Sequence, residues 1–216
     1  MTRLSNPTAM EDRASSGARL FSPSAARNRG PIAAKLATIF PRNATVLEIG
    51  AGTGEHGAAL CEIRKDITWQ PSDPDPISRS SQDEWAKDFN GRIRPSLKID
   101  VSQPDWQNRV REFDALYCSN VIHIAPWTVA QGLARGAAAR LGQGAFAILY
   151  GPFLDGPETA ASNLAFDQSL KSRNREWGVR DLQAVTALFS DAGFTLNSRT
   201  DMPSNNLMLV FERQTA

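Results

Sequence analysis

Residues 48–57 read EIGAGTGEHG, four glycines in eight positions directly after the apolar run TVLEI. Glycines this dense let a backbone turn sharply and come close to a ligand. The stretch can be read in two registers. From Gly50 it is G-x-G-x-G with the acid Glu48 just before it; from Gly52 it is G-x-G-x-x-G, the dinucleotide fingerprint. The end of the preceding strand decides between them. Val46, Leu47 and Ile49 carry that strand up to Gly50, so Gly50, Gly52 and Gly54 are expected to line the turn. In a fingerprint starting at Gly50 the sixth position is Glu55, too large for the close helix–strand contact that motif needs. Gly57 then lies one turn inside the next helix and is expected to pack.

Outward from this turn, strand and helix signals alternate. PIAAKLATIF reads as a helix with Pro31 in its first turn, where a missing N–H is harmless. TVLEI, ITWQP, PSLKIDV, FDALYCS and AFAILY read as five strands, the last of them apolar on both faces and therefore central. GEHGAALCEIRK, SRSSQDEWAKDF (opened by serines) and WTVAQGLARGAAARL are the helices between them. In the third helix Val129, Leu133, Ala137 and Leu141 share a face, and Gly132 and Gly136 imply close packing on a sheet. After Tyr150 the pattern changes. Residues 151–178 form a lid-like insertion with a helix near Ala160 to Lys171, and VRDLQAVTALFSDAG is an amphipathic helix presenting Leu182, Val185, Leu188 and Phe189. FTLNSR and LMLVFER, joined by a short turn, must be antiparallel neighbours. The expected architecture is α/β: a mostly parallel sheet with helices on both faces.

The chain has 216 residues, the size of one domain, with a formal net charge of +1. No charge excess recommends nucleic acid or an anionic membrane as partner, and no apolar run nears the roughly 20 residues of a membrane helix. Cys61 and Cys118 lack metal-ligand spacing and read as buried reduced thiols of a cytoplasmic protein, with no metal expected. Residues 1–20 lack the apolar centre of a secretory signal and read as a mobile arm, leaving 21–216 as the domain.

Two further acids support the first register. Asp73 ends the second strand, where a carboxylate can accept both ribose hydroxyls, and Asp100 ends the third, within reach of an adenine amino group. Glycines and acids at the ends of three successive strands, followed by a terminal hairpin, resemble the class I S-adenosylmethionine (SAM)-dependent methyltransferases. FSPSAARNRGPI, WQPSD, CSNVIHIAPW, YGPF, SNLAFDQSLKSRNREWGVRD and DMPSNN are similar to blocks of one narrower family within them. That family occurs in bacteria and animals, was long catalogued as a domain of unknown function, and in animals is called methyltransferase-like protein 26. The resemblance runs from about Phe21 to Arg213. It implies a Rossmann-like seven-stranded methyltransferase sheet whose antiparallel last strand is inserted among the others. It also implies SAM as cofactor and S-adenosylhomocysteine as product, and no particular acceptor.

On this reading Glu48, Gly50, Gly52, Gly54, Asp73, Asp100 and Val101 frame the cofactor, with Ser119 and Asn120 beside it. Arg27 and Asn28 close over the cofactor carboxylate from the N-terminal side or are ordinary loop residues, and the Asn205–Asn206 turn stands in the same position. Methyl transfer needs alignment and exclusion of water, and a base only if the acceptor arrives protonated. His123 is the candidate general base, its alternative role being to brace a loop; His56 reads as helix capping or packing. Tyr150 ends the fifth strand beside the expected methyl path, where its ring could face a cation, as could Trp127. Asp167 is either an ammonium-binding or proton-accepting residue of the lid, or a salt-bridge partner of Arg173. Polar groups of both signs on a compact lid favour a small polar or zwitterionic acceptor, with no nucleic acid and no membrane as partner. Two other functions share the glycine loop: a SAM-binding regulator or scaffold without turnover, and a NAD(P)-dependent oxidoreductase using Gly52, Gly54 and Gly57.

Overall fold

A computed structural model describes residues 13–214. Residues 1–12 of the expected arm lie outside the described residues. Within its remainder, β1 (Ala14–Ser16) and β2 (Arg19–Phe21) form a hairpin about Gly17. The hairpin is anchored on a later helix. Arg19 pairs with Asp88 at 2.9 Å and lies 4.2 Å over the Trp85 ring, and the Leu20 amide donates to Ser81 Oγ at 2.8 Å. No apolar period marks these residues, which is why they read as arm.

α1 (Pro23–Ile39) starts eight residues before the expected position. Ser22 caps it by accepting the Ala25 amide at 3.1 Å, and Pro23 takes the first turn. Pro31 therefore lies inside the helix, where it leaves the Arg27 carbonyl without its usual donor. β3 (Thr45–Ile49), the glycine turn and α2 (Glu55–Ile63) follow as read. β4 (Thr68–Ser72) leads into α3 (Pro76–Ala86), which is capped by Asp75 rather than by its serines. β5 (Ala115–Ser119), α4 (Trp127–Arg140), β6 (Phe146–Leu154), α5 (Ala161–Arg173), β7 (Arg180–Asp181), α6 (Leu182–Asp191), β8 (Phe194–Met202) and β9 (Asn206–Arg213) complete the chain.

The sheet has seven strands in the order β4-β3-β5-β6-β9-β8, with the short β7 pairing the end of β6. β3 to β6 are parallel, and β9 runs antiparallel between β6 and β8. The expected methyltransferase-type sheet, with its last strand inserted, is the one observed.

The expected third strand is not a regular strand. It contributes one isolated bridge to β4, Leu97 with Ser72, and a second, Ile93 with Trp69, lies just before it. Pro71 has no N–H to continue the ladder, and past it the pairing shifts: Arg94 donates to the Trp69 carbonyl, whereas Leu97 donates to that of Pro71, the Ser96 amide being taken by Asp83. The glycines of α4 also act differently from expectation. An added Cβ at Gly132 would lie 1.8 Å from the Val101 carbonyl, and one at Gly136 would lie 2.2 Å from the Trp106 ring. They let α4 seat against the 101–106 segment, where Trp106 donates to the Gly132 carbonyl at 2.9 Å.

Alternation along β6 divides the core. Ala147, Leu149 and Phe153 join one apolar layer with α4 and α6; Ile148 and Tyr150 join the other with α1 and α2. In the first layer Phe189 stacks on Phe211 at 4.5 Å and meets Phe194 edge-on at 5.7 Å. Truncating such a buried ring costs about 3–5 kcal/mol.

Candidate active site

The carboxyl ends of β3, β4, β5 and β6 open onto a cavity of about 760 Å³. Chain direction places it at a topological switch: from β3 the chain moves to β4 on one side, then returns to β5 on the other. The glycine turn forms its floor. Gly50, Gly52 and Gly54 have φ of 67°, 55° and 89°, in the left-handed region that side chains disfavour. An added Cβ at Gly52 meets only Arg13 Nη2, at 3.8 Å. The turn is held by hydrogen bonds from β4 and α3. The Gly52 amide donates to Asp73 Oδ2 at 3.0 Å, Gln82 Nε2 donates to the Gly52 carbonyl at 3.0 Å, and Ser81 Oγ donates to the Thr53 carbonyl at 2.7 Å.

Glu55 occupies the place a dinucleotide fingerprint would give to glycine. Its buried carboxylate accepts the Ser22 amide at 2.8 Å and Thr53 Oγ1 at 2.9 Å and pairs with Arg29 at 3.2 Å, tying the hairpin and α1 to the turn. Gly57 packs as expected: a Cβ there would lie 2.3 Å from Trp69 Nε1.

Of the residues singled out from sequence, Gly50, Gly52, Asp73, Asp100 and Val101 line the cavity on the side of the glycine turn. Ser119, Asn120 and His123 line it after β5, and Arg27 and Asn28 from α1. Asp73 Oδ1 accepts the Asp75 amide at 2.9 Å, and burial raises its pKa. Asp100 binds the Ser102 amide and hydroxyl at 3.0 and 2.7 Å.

Several candidates are not on the cavity wall. Glu48 lies behind it, buried, accepting Trp69 Nε1 at 2.8 Å; burial pushes its pKa up to about 8. Gly54 packs on α3, where a Cβ would meet Gln82 Cα at 3.2 Å. Tyr150 points to the α1 face, since it shares strand parity with Ile148, and its buried hydroxyl approaches the Asn28 side chain. Asp167 ties the lid instead of facing an acceptor: it accepts Lys171 Nζ at 2.6 Å and the Val179 amide at 3.0 Å. Its partner is thus Lys171, one helical turn on, and not Arg173.

His123 changes role. Its Nδ1 accepts the Arg180 amide at 3.2 Å, so its proton sits on Nε2. The ring is 1% exposed, and burial together with the Arg180 guanidinium pushes its pKa down to about 3. Nε2 has no partner among the described residues and lies 2.6 Å from where a Cβ on Gly151 would be. At its free corner the ring donates; it does not act as a general base at neutral pH. His56 packs as read, with Nε2 3.0 Å from Asn28 Oδ1 and its pKa lowered by burial to about 4. Trp127 lies 5.6 Å under the Arg180 guanidinium, away from the cavity wall.

Sequence reasoning missed Arg13, Ser78 and Phe166, which also line the cavity. Arg13 Nη1 donates to Ser78 Oγ at 3.3 Å, across sixty-five residues of chain, a pairing no local pattern announces.

A family profile described as "Protein of unknown function (DUF938)" matches residues 19–213. The chain belongs to DUF938. Solved structures place the fold of this DUF938 chain among methyltransferases. An O-methyltransferase family protein from Burkholderia thailandensis superposes with a TM-score of 0.73 at 14% identity, over 86% of this chain and 56% of that one. CalO1, a methyltransferase of calicheamicin biosynthesis in its S-adenosylhomocysteine-bound form, gives 0.72 at 16% identity, over 88% and 54%. An O-methyltransferase family 2 protein from Planctomyces limnophilus, in complex with apigenin, gives 0.72 at 17%, over 88% and 60%. The DUF938 chain thus spans little more than half the length of these relatives.

Proposed function

We propose that this DUF938 chain is a SAM-dependent methyltransferase acting on a small polar molecule in the cytoplasm, related to methyltransferase-like protein 26. The observation that carries this reading is the Asp73–Gly52 clasp: a carboxylate at the end of β4 holding the amide of a left-handed glycine at the switch point of a parallel sheet. The residues fit the cofactor. Gly52 leaves open space where a side chain would project, and the two Asp73 oxygens, each with one backbone donor, keep lone pairs for ribose hydroxyls. Asp100 and Val101 frame the adenine side, and Ser119 and Asn120 stand toward the methionine portion. Bound there, SAM supplies a methyl group already activated by a positive sulfonium. The chain's own part is to orient the two reactants and exclude water, where rate acceleration by effective molarity arises.

The test is a melting experiment with SAM, S-adenosylhomocysteine or NAD, followed by an acceptor screen read as S-adenosylhomocysteine release. A ligand at 100 times its Kd adds about 2.7 kcal/mol. A shift with the two sulfur nucleosides and none with NAD is expected. A shift with NAD alone overturns the reading, and binding without turnover on any acceptor reduces it to a SAM-binding protein.

A further inference from the structure

The open space beside Gly52 has a wall that comes from the amino-terminal hairpin. Arg13 stands at the start of β1 and lines the cavity. One arm of its guanidinium is tethered. Nη1 donates to Ser78 Oγ at 3.3 Å, and the Ser78 hydroxyl donates in turn to Asp75 Oδ2 at 2.8 Å, at the cap of α3. The other arm is not tethered: Nη2 makes no hydrogen bond among the described residues and lies 3.8 Å from where a Cβ on Gly52 would project. The hairpin itself is fastened to α3 and the turn after it by residues that do not line the cavity. Arg19 pairs with Asp88 at 2.9 Å, donates to the Glu84 carbonyl at 2.9 Å and covers the Trp85 ring, which Phe21 meets edge-on at 5.5 Å.

Asp73 borders the same space. Its Oδ2 accepts the Gly52 amide at 3.0 Å, so carboxylate and guanidinium both reach one glycine. They form no ion pair with each other. Burial raises the Asp73 pKa and the Arg13 charge opposes that rise, which puts the two groups near one another without contact. A group seated over Gly52 therefore meets a carboxylate acceptor and a guanidinium donor together. An amine satisfies the first and is repelled by the second, and an anion does the reverse. A hydroxyl satisfies both, because its oxygen donates one proton and keeps lone pairs to accept another. Two neighbouring hydroxyls match the two Asp73 oxygens, each of which has a single backbone donor.

We propose that Arg13 is a cofactor-binding residue whose Nη2 donates to a ribose hydroxyl that itself donates to Asp73, and that the hairpin β1–β2 is the strap holding it there. The inference rests on the methyltransferase reading above. Arg13 thereby serves the nucleoside end of the ligand and not its amino-acid end. α3 also supplies Ser81 and Gln82 to the glycine turn, so a strap fastened to that helix stays in register with Gly52.

The experiment is calorimetry on the full chain with S-adenosylhomocysteine and with its 2′-deoxy and 3′-deoxy analogues. Arg13→Gln is expected to weaken S-adenosylhomocysteine about tenfold, the loss typical of a hydrogen bond from a charged group. For one of the two analogues, the one lacking the bridging hydroxyl, the same substitution is expected to matter less than about twofold. Arg19→Ala loosens the strap outside the cavity wall and is expected to weaken S-adenosylhomocysteine as well. Combined with Arg13→Gln it should weaken binding no further than Arg13→Gln alone, whereas independent effects would add. Unchanged affinity in Arg13→Gln overturns the proposal. A loss that persists with both analogues also overturns it, because Arg13 would then serve the base or the amino-acid end. Additive losses from Arg13 and Arg19 overturn the strap. Failure of the unaltered protein to bind S-adenosylhomocysteine overturns the methyltransferase reading itself and is seen before any variant is made.

Discussion

The Trp69 indole donates to Glu48 Oε2 at 2.8 Å between the two adjacent strands β3 and β4, and both side chains are buried. His56 Nδ1 lies 3.9 Å from the other Glu48 oxygen, a separation that resembles an ion pair. Burial argues otherwise: it raises the Glu48 pKa to about 8 and lowers that of His56 to about 4, so both are neutral at pH 7.

This pair gives the protein a specific pH response. Glu48 holds its proton more tightly when folded, so its stabilising contribution is complete below its ordinary value of 4.5 and is lost as pH rises through about 8. His56 works in the opposite sense, with its contribution complete above 6.5 and lost as pH falls through about 4. Comparing the native protein with Glu48→Gln cancels the histidine. The stability of the variant relative to the native protein is expected to climb by a few kcal/mol between about pH 4.5 and 8 and to be level above that. Denaturant unfolding across this range measures it, and parallel curves would show that Glu48 is not held neutral.

Asp73 both shapes the loop and faces the cavity, so its loss should appear in two measurements. Asp73→Ala is expected to weaken S-adenosylhomocysteine by roughly ten- to a hundredfold. It should also lower the stability of the ligand-free protein by about 1–3 kcal/mol, because the Gly52 and Asp75 amides lose their acceptor. Weakened ligand with unchanged ligand-free stability would mean that the clasp is not formed before binding.

Gly52→Val isolates the cofactor site from the fold. The branched side chain enters open space, at a backbone cost of about 1–2 kcal/mol for the left-handed residue. The protein should fold and bind no S-adenosylhomocysteine. Gly50→Val is the harsher change, since its Cβ would lie 2.3 Å from Val121 Cγ2. A folded Gly52→Val protein with native affinity would mean that the ligand lies elsewhere.

Two helical glycines should respond very differently. Gly30 has nothing beyond its chain neighbours within 4 Å of an added Cβ, but the Pro31 ring disfavours a helical residue with a Cβ before it, so the propensity gain of about 1 kcal/mol is offset and Gly30→Ala is expected to change stability little. Gly132→Ala forces a methyl group onto the Val101 carbonyl and should destabilise strongly, with the melting temperature falling despite the gain in helix propensity. Equal shifts in the two variants would contradict the close seating of α4.

Patterns carried by neighbouring residues could be read from the chain alone. The run from Thr45 to Gly57 announced a strand, a turn and a helix because periodicity and glycine placement are local. The parity of Ile148 and Tyr150, and the four-residue spacing of Asp167 and Lys171, were equally local and would have turned both candidates away from the acceptor. The role of His123 was not local: Arg180, fifty-seven residues on, decides which ring nitrogen keeps the proton. The bridges at Ile93 and Leu97 replaced a strand because Pro71 offers no N–H and Asp83 takes the Ser96 amide, a combination visible only once β4, α3 and that segment are side by side. Arg13 reached the cavity through a hairpin whose anchors, Ser81, Trp85 and Asp88, lie more than sixty residues away.

The placement of β9 between β6 and β8 sets an order of assembly. A chain made from its amino end completes β6 at Leu154, but the strand that pairs along that edge begins only at Asn206. Throughout the intervening synthesis β6, apolar on both faces, presents unpaired backbone groups, the condition under which strands from separate chains join. β8 cannot close that edge first, because all its pairing is to β9. β9 must therefore dock before β8 or together with it, and until it does the β6 edge stays open to strands of other chains.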